Sequence, residues 1–375
     1  MTTESDQQTQ KSQLRMSRGL VTIWSGGVGG LVLFTSLQIG TAMYGNRRAA
    51  DVRHDERMNA EVLESGLEPK DAELPPGAAP VEVHTGVYID RIVELSVKET
   101  GWTVDFYVWF RWKGDAVNPG EDFSVIDGWI EEKQKEAELV EGDEHYERYR
   151  VVARISKFFD VTRFPVEEHL LTIDIELASK LRSEAILVPD LENCGISSRV
   201  KIPAFKRTKV AAVEKPHLYK SSLGDPRLSS GNRAIRSQFR YGIWVQRDGW
   251  GFFFKMFQGL FASLAVALAA FFIKPTDVDP RFGLGVGAFF ASMANSYVTS
   301  SLIPDTGVMT LADIINGLAM ATIFLTIVQS VVSLYLYDIL EQEELSRRFD
   351  KWSVWTFGFG ILLVNVVIPV AARGL

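Results

Sequence analysis

Apolar positions fall into two regimes along this chain. In the first they form unbroken runs near the ~20 residues that a helix needs to cross a hydrocarbon core of ~30 Å. Gly19–Tyr44 is such a run and carries no charge, and Trp250–Ile273 is another, interrupted by Lys255 near its start. Phe282–Ile303, Ile314–Leu340 and Val354–Ala372 complete the set, the first of these three being the least apolar because it is rich in Gly, Ala and Ser. The pattern predicts an N-terminal span over residues 19–45 and four further helices over 250–273, 282–303, 314–340 and 354–372.

In the second regime apolar and polar residues alternate. Trp102, Val104, Phe106, Val108, Phe110 and Trp112 fall on one face of a strand, with Thr103, Asp105, Tyr107, Trp109 and Arg111 on the other. Tyr149, Val151, Ala153 and Ile155 alternate likewise, as do Leu171, Ile173 and Ile175, and Glu141-Gly142-Asp143-Glu144 has the composition of a hairpin tip. Strands this dense, without helical patterns between them, predict a β-sandwich over residues 81–249. Residues 46–80 read as a short charged helix followed by a linker containing Pro69, Pro75, Pro76 and Pro80. Aromatic residues alternating on a strand are read as core packing, and the charged stretch Glu131–Glu147 as a solvated hairpin face.

The first apolar run is about twice the ~7–15 residues of a secretory signal core, so it is read as a retained anchor or an uncleaved signal. Lys11, Arg15 and Arg18 place residues 1–18 in the cytoplasm as an N-terminal tail and the strands outside, against a contrary pull from Arg47, Arg48 and Arg53. Alternation then makes 341–353 a short cytoplasmic loop, carrying Arg347, Arg348 and Lys351.

Composition narrows the functional classes. The 375 residues are 46% hydrophobic and carry a net charge of −7, and the mean hydropathy of +0.04 averages the two unlike regimes. An acidic chain lacks the clustered cations that nucleic acid requires. The single Cys194 excludes an intrachain disulfide, and His145 and His169 have no companion at metal-ligand spacing. No nucleophile elbow, phosphate loop or zinc-protease motif is present, so neither an enzyme nor a cofactor is expected.

Phe159-Asp160-Val161-Thr162-Arg163-Phe164-Pro165-Val166-Glu167 resembles the Phe-Pro-x-Asp signature loop of pentameric ligand-gated ion channels, the Cys-loop receptor superfamily. Val83–Asp115 is similar to the first two strands of its prokaryotic members, which lack the disulfide. Arg247 stands where the family has an arginine before the first channel helix, and Pro304–Thr310 resembles the proline-led loop after the pore helix. The resemblance runs from about Val81 to the C-terminus. It departs from the family in the extra N-terminal span, and no Trp-x-Pro-Asp/Glu segment of the agonist pocket is present.

The resemblance implies a homopentamer in a bacterial inner membrane, with the sandwich on the periplasmic or extracellular side. Its expected partners are lipid, permeant ions and a small-molecule or proton agonist, whose binding residues the sequence leaves unknown. Asp160 and Arg247 would be a coupling pair, with Arg163, Phe164 and Pro165 of the signature loop, Pro304, and Lys98 and Glu99 as neighbours. Alternatively Arg247 snorkels to the headgroups.

Helical spacing puts Gly283, Gly287, Phe290, Ala294, Tyr297 and Ser301 on one face of the third run. Such a face either packs closely against other helices or lines a water-filled lumen, which is its place in the family. Phe290 would be the narrowest ring. Asp279 at the inner mouth favours cations, whereas Pro280-Arg281-Phe282-Gly283-Leu284-Gly285 is similar to the mouth of anion-selective glycine-type receptors, shortened by one residue. A non-conducting membrane sensor or adaptor is the alternative function.

Overall fold

The computed structural model describes residues 4–226, 228 and 233–374, with the side chains of 4–18, 20 and 21 outside the described set. Lys11, Arg15 and Arg18 therefore fall outside it. The chain divides into two compact units. A strand unit holds Ala50–Asp160 and Glu168–Asp248, and a helical unit holds the chain up to Ala49, Val161–Glu167 and everything from Gly249 on.

The first helix, α1 (Glu4–Arg57), contributes its last turns to the strand unit, followed by the single helical turn α2 (Pro69–Ala72). The strands follow as β1 (Val81–Ser96), β2 (Gly101–Lys113), a helical turn α3 (Pro119–Asp122), β3 (Phe123–Val125), β4 (Gly128–Glu141) and β5 (Glu144–Ser156). Then come β6 (Glu168–Leu177), β7 (Ala185–Pro189), β8 (Gly195–Ile196), β9 (Phe205–Tyr219) and β10 (Ala234–Arg247). One sheet has the order β4-β5-β2-β1-β7, with β8 also pairing β1, and the other is β3-β6-β10-β9. β7 and β8 run parallel to β1, and the remaining neighbours are antiparallel.

The predicted alternation explains which face is buried. Trp102, Val104, Phe106, Val108, Phe110 and Trp112 are at most 5% exposed, and Leu171, Ile173 and Ile175 are fully buried. The faces meet as a sandwich, with the Phe110 ring 5.2 Å from that of Phe123 in the opposite sheet. Each large side chain so buried stabilises by about 1.5–3 kcal/mol before entropy is counted. The β4–β5 hairpin turns at Gly142-Asp143, where Gly142 has φ +66°.

The helical unit contains α4 (Gly251–Ala269), closed by a tight turn Ala270–Phe272, and α5 (Val278–Ser300). α6 (Leu311–Leu334) runs on through a widened turn Tyr335–Ile339, and α7 is Glu343–Arg373. Among the described residues, four stretches are long and apolar enough to cross a membrane: Thr22–Arg57, Gly251–Phe272, Leu311–Ile339 and Glu343–Arg373. Their outward faces carry Leu31, Phe34, Leu37, Phe254, Phe324, Trp355, Phe359 and Leu362, all more than half exposed, an apolar surface suited to lipid and not to water. α5 has the length but not the apolarity.

Three boundaries differ from the sequence reading. Residues 46–57 continue α1 with no break, because Asn46–Arg57 contains neither Pro nor Gly and is rich in good helix formers. The stretch expected to be a cytoplasmic loop, 341–353, is helical from Glu343, with Arg347 and Arg348 paired to Glu343 and Glu344 one turn earlier. The strand unit also begins at Ala50 and omits 161–167, instead of running unbroken over 81–249.

At Gly128 a Cβ would lie 2.5 Å from the Arg154 carbonyl oxygen of the neighbouring strand. Gly128→Ala should therefore destabilise the strand unit by about 1–3 kcal/mol. Denaturant unfolding of the purified protein, followed by tryptophan emission, checks this, and an unchanged midpoint would contradict the close approach.

Candidate functional site

The two faces of α5 differ in kind. Arg281, Gly285, Ala288, Ser292 and Thr299 are buried. They recur at helical spacing, with Arg281 and Thr299 about five full turns apart. Arg281 is fully buried and forks onto Asp350 of α7, with N–O distances of 2.9 and 2.8 Å, while Nη1 also donates to the Ile273 carbonyl at 3.2 Å. At the other end of α5, Asn316 of α6 donates to Thr299 Oγ1 at 2.8 Å and accepts from Asn295 at 3.0 Å. Midway, a Cβ on Gly285 would meet Ile327 at 2.8 Å, and one on Gly259 of α4 would meet Asn295 at 3.3 Å. Small residues and interhelical polar contacts are how helices associate in lipid.

The opposite face holds Asp279, Gly283, Gly287, Phe290, Ala294, Tyr297 and Ser301, every one exposed in the single chain. Added Cβ atoms at Gly283 and Gly287 would meet nothing. Arg281, two residues after Asp279, does not share this face, because it is turned into the bundle and neutralised by Asp350.

The signature loop serves the helix ends. The carbonyls of Thr162 and Phe164 accept the backbone N–H groups of Leu311 (2.8 Å) and Ala312 (3.1 Å), two of the donors that the start of α6 leaves without an intrahelical partner. Thr310 and Asp313 form a reciprocal capping box there. Arg163, buried, donates to the Ala372 carbonyl at 3.3 Å, near the negative end of α7. Phe164 packs edge-on against Phe252, Pro165 is buried, and Pro304 is half-buried in the link between α5 and α6.

In the strand unit, Asp160 accepts from Arg53 at 3.1 Å. With side chains 36% and 56% exposed, that pair contributes roughly 0–1 kcal/mol. Arg247 is buried with its guanidinium 4.2 Å from the centre of the Phe205 ring on the paired strand. Lys98 and Glu99 are exposed in the turn between β1 and β2.

Two features of the strand unit escaped the sequence reading. The first is a buried polar network beneath residues 53–72. The last carbonyls of α1, Glu56 and Arg57, accept from Lys215 (2.9 Å) and Arg240 (3.0 Å), so two strand cations cap the negative end of the helix. Arg240 also binds Asp174 at 2.8 Å and Glu64 at 3.3 Å, and Arg57 reaches Asp174 at 3.4 Å. Burial, reinforced by Arg240, holds Lys215 below the usual lysine range. Beside this cluster His217 contacts Glu176, which also accepts from Tyr219 (2.9 Å) and Gln238 (2.7 Å). The hydrogen bond to Glu176 raises the His217 pKa, against burial. His217 and Tyr219 both belong to β9.

The second feature is a cavity of about 570 Å³ on the outer face of the larger sheet. Tyr107 and Trp109 of β2, Tyr88 of β1 and Tyr146 of β5 supply its aromatic walls. The Trp109 indole lies flat across Gly86, where a Cβ would stand 2.1 Å from it, and donates to Asp190 at 3.1 Å. Arg148, paired with Trp109 across the strands, sits 5.9 Å from the Tyr107 ring centre. Farther along β2, buried Asp105 is held below the usual carboxylate range by its hydrogen bonds to Arg150 and then Arg91, against the effect of burial. Alternating aromatic and charged residues at 105–111 were the available signal for this site, but only the opposite face reads as core.

Compared with protein-family models and with curated proteins, the chain matches none.

Two outcomes follow from these contacts. Asp350→Ala leaves a buried guanidinium without its counterion and should destabilise the helical unit by about 3–5 kcal/mol, whereas Arg281→Met with Asp350→Leu should recover most of that loss. Thermal unfolding in detergent distinguishes the two variants, and equal losses would contradict the pairing. His217 titrates above 6.5 in the fold, so its pair with Glu176 contributes fully below pH 6.5 and is lost as pH rises through the folded value. The gap in Tm between the native chain and His217→Gln should close as pH rises, and a gap that widens would contradict this sign.

Proposed function

We propose that this chain is one subunit of a homopentameric ion channel of a bacterial inner membrane. In this reading the strand unit lies on the periplasmic or extracellular side and receives a small molecule or protons as the stimulus. The observation that carries the reading is the exposed face of α5. Gly283, Gly287, Ala294 and Ser301 offer lipid little apolar area, and Asp279 is costly there. Polar contacts on the other side of the helix fix this face outward. Several copies around an axis would turn it toward water, with Phe290 as an apolar ring able to close the path by dewetting. α5 is then the fifth span, lined by protein and water instead of lipid. The resemblance of residues 159–167 and 304–310 to pentameric ligand-gated channels supports the same arrangement and the coupling roles of Asp160 and Arg247.

Cations are the preferred ions in this reading, since Asp279 stands on the exposed face while the Arg281 charge is taken by Asp350. A non-conducting sensor is the second reading, favoured by Gly283 and Gly287, which leave the inner half of the face without side chains.

Cysteine accessibility separates them. The native Cys194 is half-buried and its thiol is pushed up to about 11 by burial, so it reacts slowly. In reconstituted bilayers, Gly287→Cys and Tyr297→Cys should give currents blocked by a charged thiol reagent, while Ala288→Cys and Ser292→Cys should resist it. Asp279→Lys should shift the reversal potential in a salt gradient toward anions. A pentamer by native mass measurement that passes no current at any tested pH favours the sensor.

A further inference from the structure

Lys157 stands where β5 gives way to the signature loop, and its backbone N–H is fixed on the Thr100 carbonyl at 2.8 Å. Its side chain is half-buried, with the amine 5.7 Å from the centre of the Phe159 ring. That amine makes no hydrogen bond or ion pair among the described residues. The last turns of α1 explain why no acid reaches it. Arg53 and Arg57, one turn apart on that helix, have taken Asp160 at 3.1 Å and Asp174 at 3.4 Å. The other oxygen of Asp174 accepts from Arg240 at 2.8 Å.

The cluster is short of negative charge. Arg57, Lys157, Lys215 and Arg240 stand against the carboxylates of Asp174 and Glu64, with Glu56 exposed at the edge. Arg57 spends one N–H on Asp174, and a guanidinium has five. Burial, with the charge of Arg57 and against that of Asp174, pushes Lys157 down to about 8. At about pH 7.5 roughly a quarter of such an amine is neutral and nucleophilic, against roughly a thousandth of an ordinary lysine. An unpaired amine among surplus cations favours an electrophile that leaves negative charge behind. An acyl group adds no anion, and an aldehyde gives an imine that adds none either. Carbon dioxide is small enough for a half-buried amine and does add one.

We propose that Lys157 is a carbon dioxide site, forming a carbamate whose oxygens are held by Arg57. The Nζ lone pair attacks the carbon, one C=O electron pair moves to oxygen, and a nitrogen proton leaves to water. R–NH2 and CO2 thus give R–NH–COO− and H+, with no oxidant, reductant or activated donor. The carbamate ties the end of α1 to the start of the signature loop. The inference concerns the strand unit alone and stands whether or not the chain conducts ions.

The test uses the full-length protein in detergent at about pH 7.5 with dissolved carbon dioxide. Triethyloxonium converts carbamates to stable ethyl esters, which peptide mass spectrometry locates. Lys157 should be labelled at least about tenfold more than exposed Lys98 and Lys206, and only when carbon dioxide is present. Arg57→Gln should lower the label about threefold or more, because it returns Lys157 toward the ordinary range and removes the partner of the carbamate. Native tryptophan emission checks that this variant is folded. With carbon-13-labelled gas, the native chain should give a carbamate resonance by NMR that Lys157→Arg lacks, since that variant keeps the positive charge and cannot form the adduct. A label on Lys157 no greater than on Lys98, a label undiminished in folded Arg57→Gln, or no resonance lost in Lys157→Arg would each overturn the assignment.

Discussion

The rotation of α5 about its own axis depends on one buried ion pair. Arg281 is withdrawn from solvent entirely, and an isolated guanidinium in that position would be prohibitive, so the helix must present it to Asp350. Once that contact is made, helical geometry places Gly285, Ala288, Ser292 and Thr299 against the bundle. Asn316 then fastens the other end through Thr299 and Asn295. The face bearing Gly283, Gly287, Phe290, Ala294, Tyr297 and Ser301 is exposed as a consequence.

A second theme is the satisfaction of helix ends by groups distant in sequence. Carbonyls at 162 and 164 meet the first amides of α6, Arg163 meets a late carbonyl of α7, and Lys215 and Arg240 meet the last carbonyls of α1. Each contact matches charge or hydrogen-bonding sense to the helix dipole. In 161–167 these contacts add to the burial of Val161, Phe164 and Val166, whereas the strap over 53–66 is held mainly by its polar contacts. Among the residues that the sequence reading assigned to coupling, Arg163 caps α7, Arg247 packs on Phe205 and Asp160 pairs with Arg53.

The strand faces were legible because burial on a sheet follows a period of two, and Trp102 to Trp112 declare it without help from the rest of the chain. The exposed face of α5 was legible for the same kind of reason, since residues 283–301 repeat at helical spacing. Partnerships were not. Arg281 and Asp350 lie 69 residues apart, and nothing local to either names the other. Helix limits failed where composition stays the same across a structural change: Glu343–Lys351 is as charged as a loop, yet its charges pair one turn apart and continue α7. The sheet-face cavity was missed because Trp109 beside Gly86 only becomes a wall through a cross-strand register that the sequence does not display.

The register of a single residue also decides which charges at the start of α5 are exposed. Residues 280–285 are similar to the mouth of anion-selective receptors but shortened by one position. One residue of α-helix is about 100° of rotation, enough to carry a side chain from an exposed face to a buried one. Arg281 stands on the buried side of that step: it points into the bundle and is neutralised there, while Asp279, two residues earlier, stays exposed. In the proposed channel the arginine therefore adds no field to the lumen, and the acid is the charge an ion meets. In that proposal the sign of the field depends less on how many charges lie near residue 280 than on which face of the helix carries each.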